Sequence, residues 1–350
     1  MRNALSDERT FFSPYTRNAP YWIILEGSQA AAFPGAQSLH RHPELFGKPV
    51  GVSWATEWNR LAAEFFPTPT DRSLRAAIIA SETLPEWQEI ELSLRPATEI
   101  DAVARNLWLA QYLDESRLLC FMQRVIDRRG KQVGHEAFAR MEAPDGSVVG
   151  GGAIMQAAQV LHMEYQVDRL MHKQAIQCFV EGDLEGHLFI NFLTGFIHRP
   201  EVYLDGLSQA VERLHVLPRS VALDVPLVDY VKDIAKLKSI ADYCRKRGFA
   251  LALDDVMSTD GLAGLLHDIR PAFVKLDARL STAMEDPRRQ GMVLEIIRLA
   301  HAAGATVLAE GVESEALHKA YLAAEVDMFQ GYLFGAPERC PPPKKDQKAS

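Results

Sequence analysis

The chain has 350 residues, 47% of them apolar and 24% charged, with a formal net charge of -8. That length suits two domains of unequal size, and the composition supports a large core, which excludes extensive disorder away from the ends. The acidic balance disfavours a nucleic-acid polymer or an anionic membrane as partner, and no stretch approaches the roughly 20 apolar residues of a membrane span. The opening MRNALSDERTFF has no apolar segment of the secretory kind, so a cytoplasmic location is expected. Cys120, Cys178, Cys244 and Cys340 are far apart with no metal-ligand spacing, and read as buried or incidental thiols of a reducing compartment.

Residues 1–20 are polar and contain proline, the pattern of a mobile arm. Tyr21 to Leu25, Pro49 to Trp54 and Ile90 to Leu94 are strand candidates, and Asp71 to Ala80 reads as helical; together they suggest a small α/β domain over 21–96. His40 and His42 sit beside a proline with no third ligand nearby, which favours a solvated loop over a metal site. Apolar residues recur at helical spacing from Ala97 to Gln111, so 97–116 reads as a connecting helix, either a spacer or a lever that relays a signal.

From 117 to 338 the pattern alternates, and 339–350 reads as a disordered tail. Leu119 to Asp127 and Gln132 to Arg140 are strands separated by Arg128-Arg129-Gly130-Lys131, a turn short enough to make the pair antiparallel. A helical block follows at Met155 to Glu181. Strands at 187–193, 219–225, 250–256, 273–277, 306–312 and 328–334 then alternate with helices at Gly206 to Leu214, Asp229 to Gly248, Gly261 to Asp268, Pro287 to Gly304 and Glu313 to Ala324. Eight strands with interposed helices can close an α/β barrel of the TIM-like (β/α)8 kind; an open doubly wound sheet is the alternative, but no Gly-rich phosphate turn follows the first strand.

The apolar strands end in polar residues. ALALDDV runs out onto Asp254 and Asp255; Glu136, Asn191, Asp224, Lys275, Glu310 and Gln330 stand in or near the ends of the others. Five acids and one lysine at one rim would repel unless cations neutralise them, and oxygen ligands without sulfur favour Mg²⁺ or Mn²⁺ over zinc. Two such ions could clamp a phosphodiester, with Lys275 beside the attacking water or a phosphate oxygen. Each residue also has a plain explanation: Asp255 as a helix N-cap, Lys275 with Asp277 as a rim ion pair, Glu310 as a strand terminator, Gln330 as a bond to a loop.

HEAFAR, INFLTG, ALALDD, FVKLD, LAEGVES and FQGYLFGAP, in this order, resemble the EAL domain, the barrel fold that hydrolyses cyclic di-GMP to the linear dinucleotide. The resemblance covers Leu118 to about Pro337 and implies roles. Glu136, Asn191, Asp224, Asp254, Asp255 and Glu310 would be metal ligands, with Asp255 on the second ion. Lys275, Glu310 and Glu136 would be catalytic, and Gln123, Arg140 and Gln330 would contact the ligand. Departures accompany it: where the family usually has Glu-x-x-Glu, this chain has Asp224-Val225-Pro226-Leu227; where the loop usually reads DDFGTGYSSL, it has DDVMSTDGLAGL; and Gln123 is followed by Arg124 in place of proline. Met257 and Thr259 stand for loop glycines, and they enter positive φ only at a cost. The resemblance therefore implies a cyclic di-GMP effector with impaired or absent hydrolysis, the second metal site being weakened or lost. The alternatives are an active Mg/Mn-dependent phosphodiesterase giving linear pGpG and a scaffold that binds neither metal nor nucleotide. A protein partner through the N-terminal domain and a homodimer are further expectations, and no segment for synthesis of the dinucleotide is present.

Overall fold

The computed structural model describes residues 21–26, 40–42, 50–55, 75–80, 92–192, 200–227, 233–286 and 289–340. The chain forms two compact units, residues 1–118 with 141–167 and residues 119–140 with 168–350. The expected arm at 1–20, Asp71 to Leu74 of the expected helix, the end of INFLTG and the last ten residues lie outside the described residues.

In the first unit, strands β1 (Tyr21–Glu26), β2 (His40–His42), β3 (Val50–Ala55), β4 (Arg75–Ala80) and β5 (Arg95–Pro96) form an antiparallel sheet in the order β2-β3-β1-β4-β5. Two expectations are corrected. Arg75–Ala80 is a strand, not a helix: it pairs along its whole length with β1, and that tertiary pairing overrides alanine's preference for helix. His40 and His42 lie in an edge strand on β3, not in a loop. Leu92 and Ser93 are helical, so strand structure begins only at Arg95.

Next come two helices where one was expected, α1 (Ala97–Asn106) and α2 (Trp108–Asp114). The Asn106 side chain donates back to the Ala102 carbonyl at 2.7 Å, a local bond that competes with the helical ladder where the break falls. The expected block at 155–181 is likewise two helices, α3 (Gly151–Leu161) and α4 (Glu164–Glu181), parted at His162, whose φ is 54°.

The second unit is a closed barrel. Its strands are β6 (Leu118–Asp127), β7 (Gln132–Glu142), β9 (His187–Asn191), β10 (Val221–Pro226), β11 (Ala250–Val256), β12 (Phe273–Leu276), β13 (Thr306–Ala309) and β14 (Met328–Phe329); the short β8 (Val148–Gly150) adjoins β7 and leads into α3. The pairings run β6-β14-β13-β12-β11-β10-β9-β7 and return to β6. Neighbours from β7 round to β14 are parallel, and β6 meets β14 antiparallel. The turn between β6 and β7 is held by Asp127, whose Oδ1 accepts from the amides of Arg129 at 2.8 Å and Lys131 at 2.9 Å. Between the parallel strands lie α5 (Pro200–Arg213), α6 (Ile234–Arg247), α7 (Leu262–Ile269), α8 (Ser281–Glu285), α9 (Gln290–Ala302) and α10 (Glu315–Ala323).

One layer of the core draws a residue from each of six strands: Val125, Phe189, Ala222, Ala252, Phe273 and Leu308. Phe189 and Phe273 meet edge to face at 5.0 Å, and alanines opposite them leave the room these rings need. Strands β13 and β14 end well before their expected bounds, at Ala309 and Phe329, because the chain leaves the ladder to carry the next polar residue into the mouth. A last strand, β15 (Glu338–Arg339), pairs with β6, and the Cys340 amide donates to the Cys120 carbonyl at 3.0 Å. The chain is thus held through Cys340, past the expected end of the barrel.

The cysteines are not scattered in space. Cys120 on β6, Cys178 on α4 and Cys340 converge, the Cys340 thiol lying 3.6 Å from the Cys178 carbonyl, all as free thiols. The hydrogen bond to Cys120 comes first among the causes that push the Cys178 thiol up to about 12; burial alone does as much for Cys244. At pH 8 a thiol of that kind is ionised about once in 10⁴, and the thiolate is the nucleophile. Iodoacetamide at pH 8 should therefore leave Cys178 and Cys244 unmodified in the folded protein and alkylate both in urea, read by peptide mass spectrometry.

Candidate active site

The period of two along a strand builds the site. Five of the core-layer residues stand two positions before a polar one on the same face: Phe189 before Asn191, Ala222 before Asp224, Ala252 before Asp254, Phe273 before Lys275, Leu308 before Glu310. On β6, which runs the other way, the step is reversed, from Val125 back to Gln123. A polar layer therefore sits directly on an apolar one, at the ends of the strands where barrels of this kind carry their chemistry.

Lys275 is the centre of that layer and is fully buried. Its ammonium lies 2.7 Å from Asp224 Oδ2, 2.7 Å from Glu310 Oε1, and 3.3 Å from both Glu136 Oε2 and Asp254 Oδ2. The Asn191 amide donates to Glu136 Oε1 at 3.1 Å. Lys275 does not pair with Asp277, as a rim ion pair would require; Asp277 is gripped by Arg279 through Nε at 2.8 Å and through Nη2. Glu310 does more than end a strand, and Asp255 caps no helix, since α7 begins after Gly261.

Burial acts against the Lys275 ammonium, but Asp224, Asp254, Glu136 and Glu310 outweigh it and hold its pKa well above the usual lysine range. Burial raises Asp224 and Glu310 well above the ordinary carboxylate range, and neighbouring carboxylates add to it while Lys275 opposes them. These directions describe one cluster: the lysine keeps its charge, and Asp224 and Glu310 bind a proton more tightly than free carboxyls do.

Asp254, Asp255 and Glu310 bring carboxylate oxygens within 4.8 Å of one another. Asp254 Oδ1 accepts from the Asp255 amide at 2.9 Å. Asp255 has a φ of 55°, the left-handed region. Its carboxyl is pushed up to about 6, by burial first and then by the charges of Asp254 and Asp277, with the latter of which it also shares a hydrogen bond. In the following loop, Met257 and Thr259 avoid positive φ; Gly261 takes it instead, at 68°. Asp224 Oδ1 is buried with no hydrogen-bond partner among the described residues. Oxygen donors alone, with one left unsatisfied, fit a hard divalent cation.

Gln330 donates to Gln123 Oε1 at 3.1 Å, and Gln123 donates to the Gly335 carbonyl at 2.9 Å, so these two sit together beside the cluster as a separate pair. Arg140 is not part of the cluster. It lies on the same face of β7 as Glu136, four residues on, its guanidinium 5.7 Å from the Phe121 ring and 5.6 Å from the Phe138 ring. Gly311, directly after Glu310, has a φ of 62°, and a Cβ there would fall 2.5 Å from that of Ala278. Gly311→Ala should cost about 2 kcal/mol through strain and overpacking combined, read as a lower urea midpoint.

Sequence reasoning passed over His172 and Arg279. His172 lies on a helix without a motif, and its bond to the Asn191 carbonyl, at 3.1 Å, comes from packing alone. Arg279 follows the FVKLD segment by two residues, and its grip on Asp277 was open to reading from that spacing.

The structure is an α/β barrel with an acid-rich rim around one buried lysine at the ends of its strands. Residues 108–337 match the family described as EAL domain, and the chain belongs to it. The cyclic di-GMP phosphodiesterase PdeF of Escherichia coli (strain K12) is 21% identical over 242 residues, 68% of this chain and 32% of that one. The chain spans about a third of the length of the curated relatives it matches. Among solved structures, the FimX EAL domain from Pseudomonas aeruginosa bound to c-di-GMP superimposes with a TM-score of 0.61 at 19% identity, covering 67% of this chain and 96% of that one. A standalone EAL protein from Vibrio cholerae O395 in its c-di-GMP bound form gives 0.55 at 27% identity, covering 63% and 92%. Among the described residues no helix is long and apolar enough to cross a membrane.

Proposed function

We propose that the chain binds cyclic di-GMP at the mouth of its barrel and hydrolyses it slowly or not at all. The observation that carries this reading is the state of Asp255. Its backbone is left-handed, and burial with the charges of Asp254 and Asp277 holds its carboxyl up at about 6, so the acid that would serve a second ion gives up its proton less readily than a free carboxyl. Glu136, Asn191, Asp224, Asp254, Asp255 and Glu310 would hold Mg²⁺ or Mn²⁺, which when bound offsets charge on a phosphodiester oxygen and promotes attack by water. Lys275 keeps Asp224 and Glu310 oriented toward that position. Arg140, its guanidinium near the Phe121 and Phe138 rings, presents a charged plane to a phosphate or a purine, and Gln330 Oε1, without a hydrogen-bond partner among the described residues, offers an acceptor to a guanine N–H.

The retained set favours a second reading, an active phosphodiesterase giving linear pGpG. The Asn191–Glu136 bond and the three convergent carboxylates support it. Incubation with cyclic di-GMP and Mg²⁺ or Mn²⁺, with product followed by chromatography and affinity measured with and without metal, separates the two. Tight binding without product supports the first reading, and rapid product replaces it with the second. Absence of binding leaves a scaffold that acts through protein contacts. We further propose a cytoplasmic protein in which residues 21–96 receive a partner or signal, with a homodimer as the form to test by light scattering.

A further inference from the structure

We propose that His172 is a positioning residue for the cation-binding mouth, holding the end of β9 from α4 so that Asn191 reaches Glu136. The inference rests on the metal-binding part of the function proposed above. Its Nε2 lies 3.1 Å from the Asn191 carbonyl. A carbonyl only accepts, so Nε2 carries the proton and donates. The imidazole also stacks on Phe192, 6.0 Å between centroids and 13° between planes. Asp168, one helical turn earlier on α4, brings Oδ2 to 3.4 Å from the same Nε2.

The placement matters because β9 ends at Asn191, whose register partner is Asp224, and the Phe192 amide donates to the Asp224 carbonyl at 2.9 Å. One side chain thus grips both residues at the strand's exit, the carbonyl of the first and the ring of the second. The Asn191 amide is then free of the backbone's drift and meets Glu136 Oε1 at 3.1 Å. His172 and Asp168 are both buried. Groups that orient metal ligands in this way typically change metal affinity about 10- to 100-fold when removed.

The test titrates Mn²⁺ into the full chain by calorimetry, with the thermal midpoint taken in EDTA. Glu136→Gln serves as the control for the site. Affinity should fall about 10- to 100-fold in His172→Leu, which fills the space without a donor, while the midpoint in EDTA holds. In His172→Gln, whose amide keeps a donor, affinity should return to near the wild-type value. Wild-type affinity in His172→Leu overturns the inference, as does an equal loss in the leucine and glutamine variants. Should the leucine variant fail to fold, His172→Asn, whose amide stops short of the carbonyl, takes its place with the same expectation. If the wild-type chain binds no Mn²⁺, or binds it equally with Glu136→Gln, the metal-site reading itself falls and takes this inference with it. Site-dependent binding that ignores position 172 sinks the inference alone.

Discussion

Lys275→Met should cost the fold about 3–5 kcal/mol at pH 8 in EDTA and recover part of that loss with Mg²⁺. The methionine matches the lysine stem in shape, so packing changes little. What disappears is the cation within 3.3 Å of Glu136, Asp224, Asp254 and Glu310. Burial already raises Asp224 and Glu310 with Lys275 present, and its loss raises them further. A carboxyl whose folded pKa exceeds its unfolded one binds protons more tightly when folded, so its contribution is present below the unfolded value and is lost as pH rises through the folded one. The variant should accordingly lie closest to the wild type at pH 5 and farthest from it at pH 8. A cation at a hundredfold excess over its dissociation constant returns about 2.7 kcal/mol. Urea unfolding at both pH values, with and without Mg²⁺, reads all of this. Equal stability of variant and wild type at pH 8 in EDTA would show that the lysine is not what balances these acids.

The same cluster shows where sequence reading succeeds. Apolar runs ending in polar residues are visible in ALALDD, FVKLD and TVLAEG, and because side chains alternate along a strand, the position two beyond a core residue must face the same way. Barrel closure and the meeting of Glu136, Asp224, Asp254, Lys275 and Glu310 follow from that alternation once eight strands are counted. Local physics failed elsewhere. Arg75–Ala80 has the composition of a helix and is a strand because β1 lies alongside it. The Asn106 and His162 breaks depend on one side-chain bond and one left-handed residue, neither of which interrupts an apolar period. Convergence of Cys120, Cys178 and Cys340, and the bond of His172 to Asn191, join positions on different elements, and no spacing encodes them. Lys275 was legible as a site residue but not as the hub, because its contacts come from three other strands and from Glu310, just past the end of a fourth.

Asp224→Glu should raise metal-dependent hydrolysis of cyclic di-GMP about 10- to 100-fold while lowering thermal stability. Family members usually carry glutamate at this position, and the shorter side chain here spends Oδ2 on Lys275 at 2.7 Å and leaves Oδ1 without a hydrogen-bond partner among the described residues. One more methylene advances the carboxylate by about 1.5 Å toward the mouth. Displacements near 1 Å at a reacting centre change rates by about 10². Against this, Asp224 is fully buried, and an extra methylene in such a place costs about 1–3 kcal/mol. The two effects appear in different measurements, initial rate of linear product against thermal midpoint, so both signs can be read from one variant. Leu227→Glu alone, half-buried after β10, should move neither by much, because its side chain lies outside the polar layer built by the two-residue step. If Asp224→Glu folds and its rate stays at the wild-type level, the limit lies with Asp255, whose carboxyl burial and the charges of Asp254 and Asp277 push up to about 6.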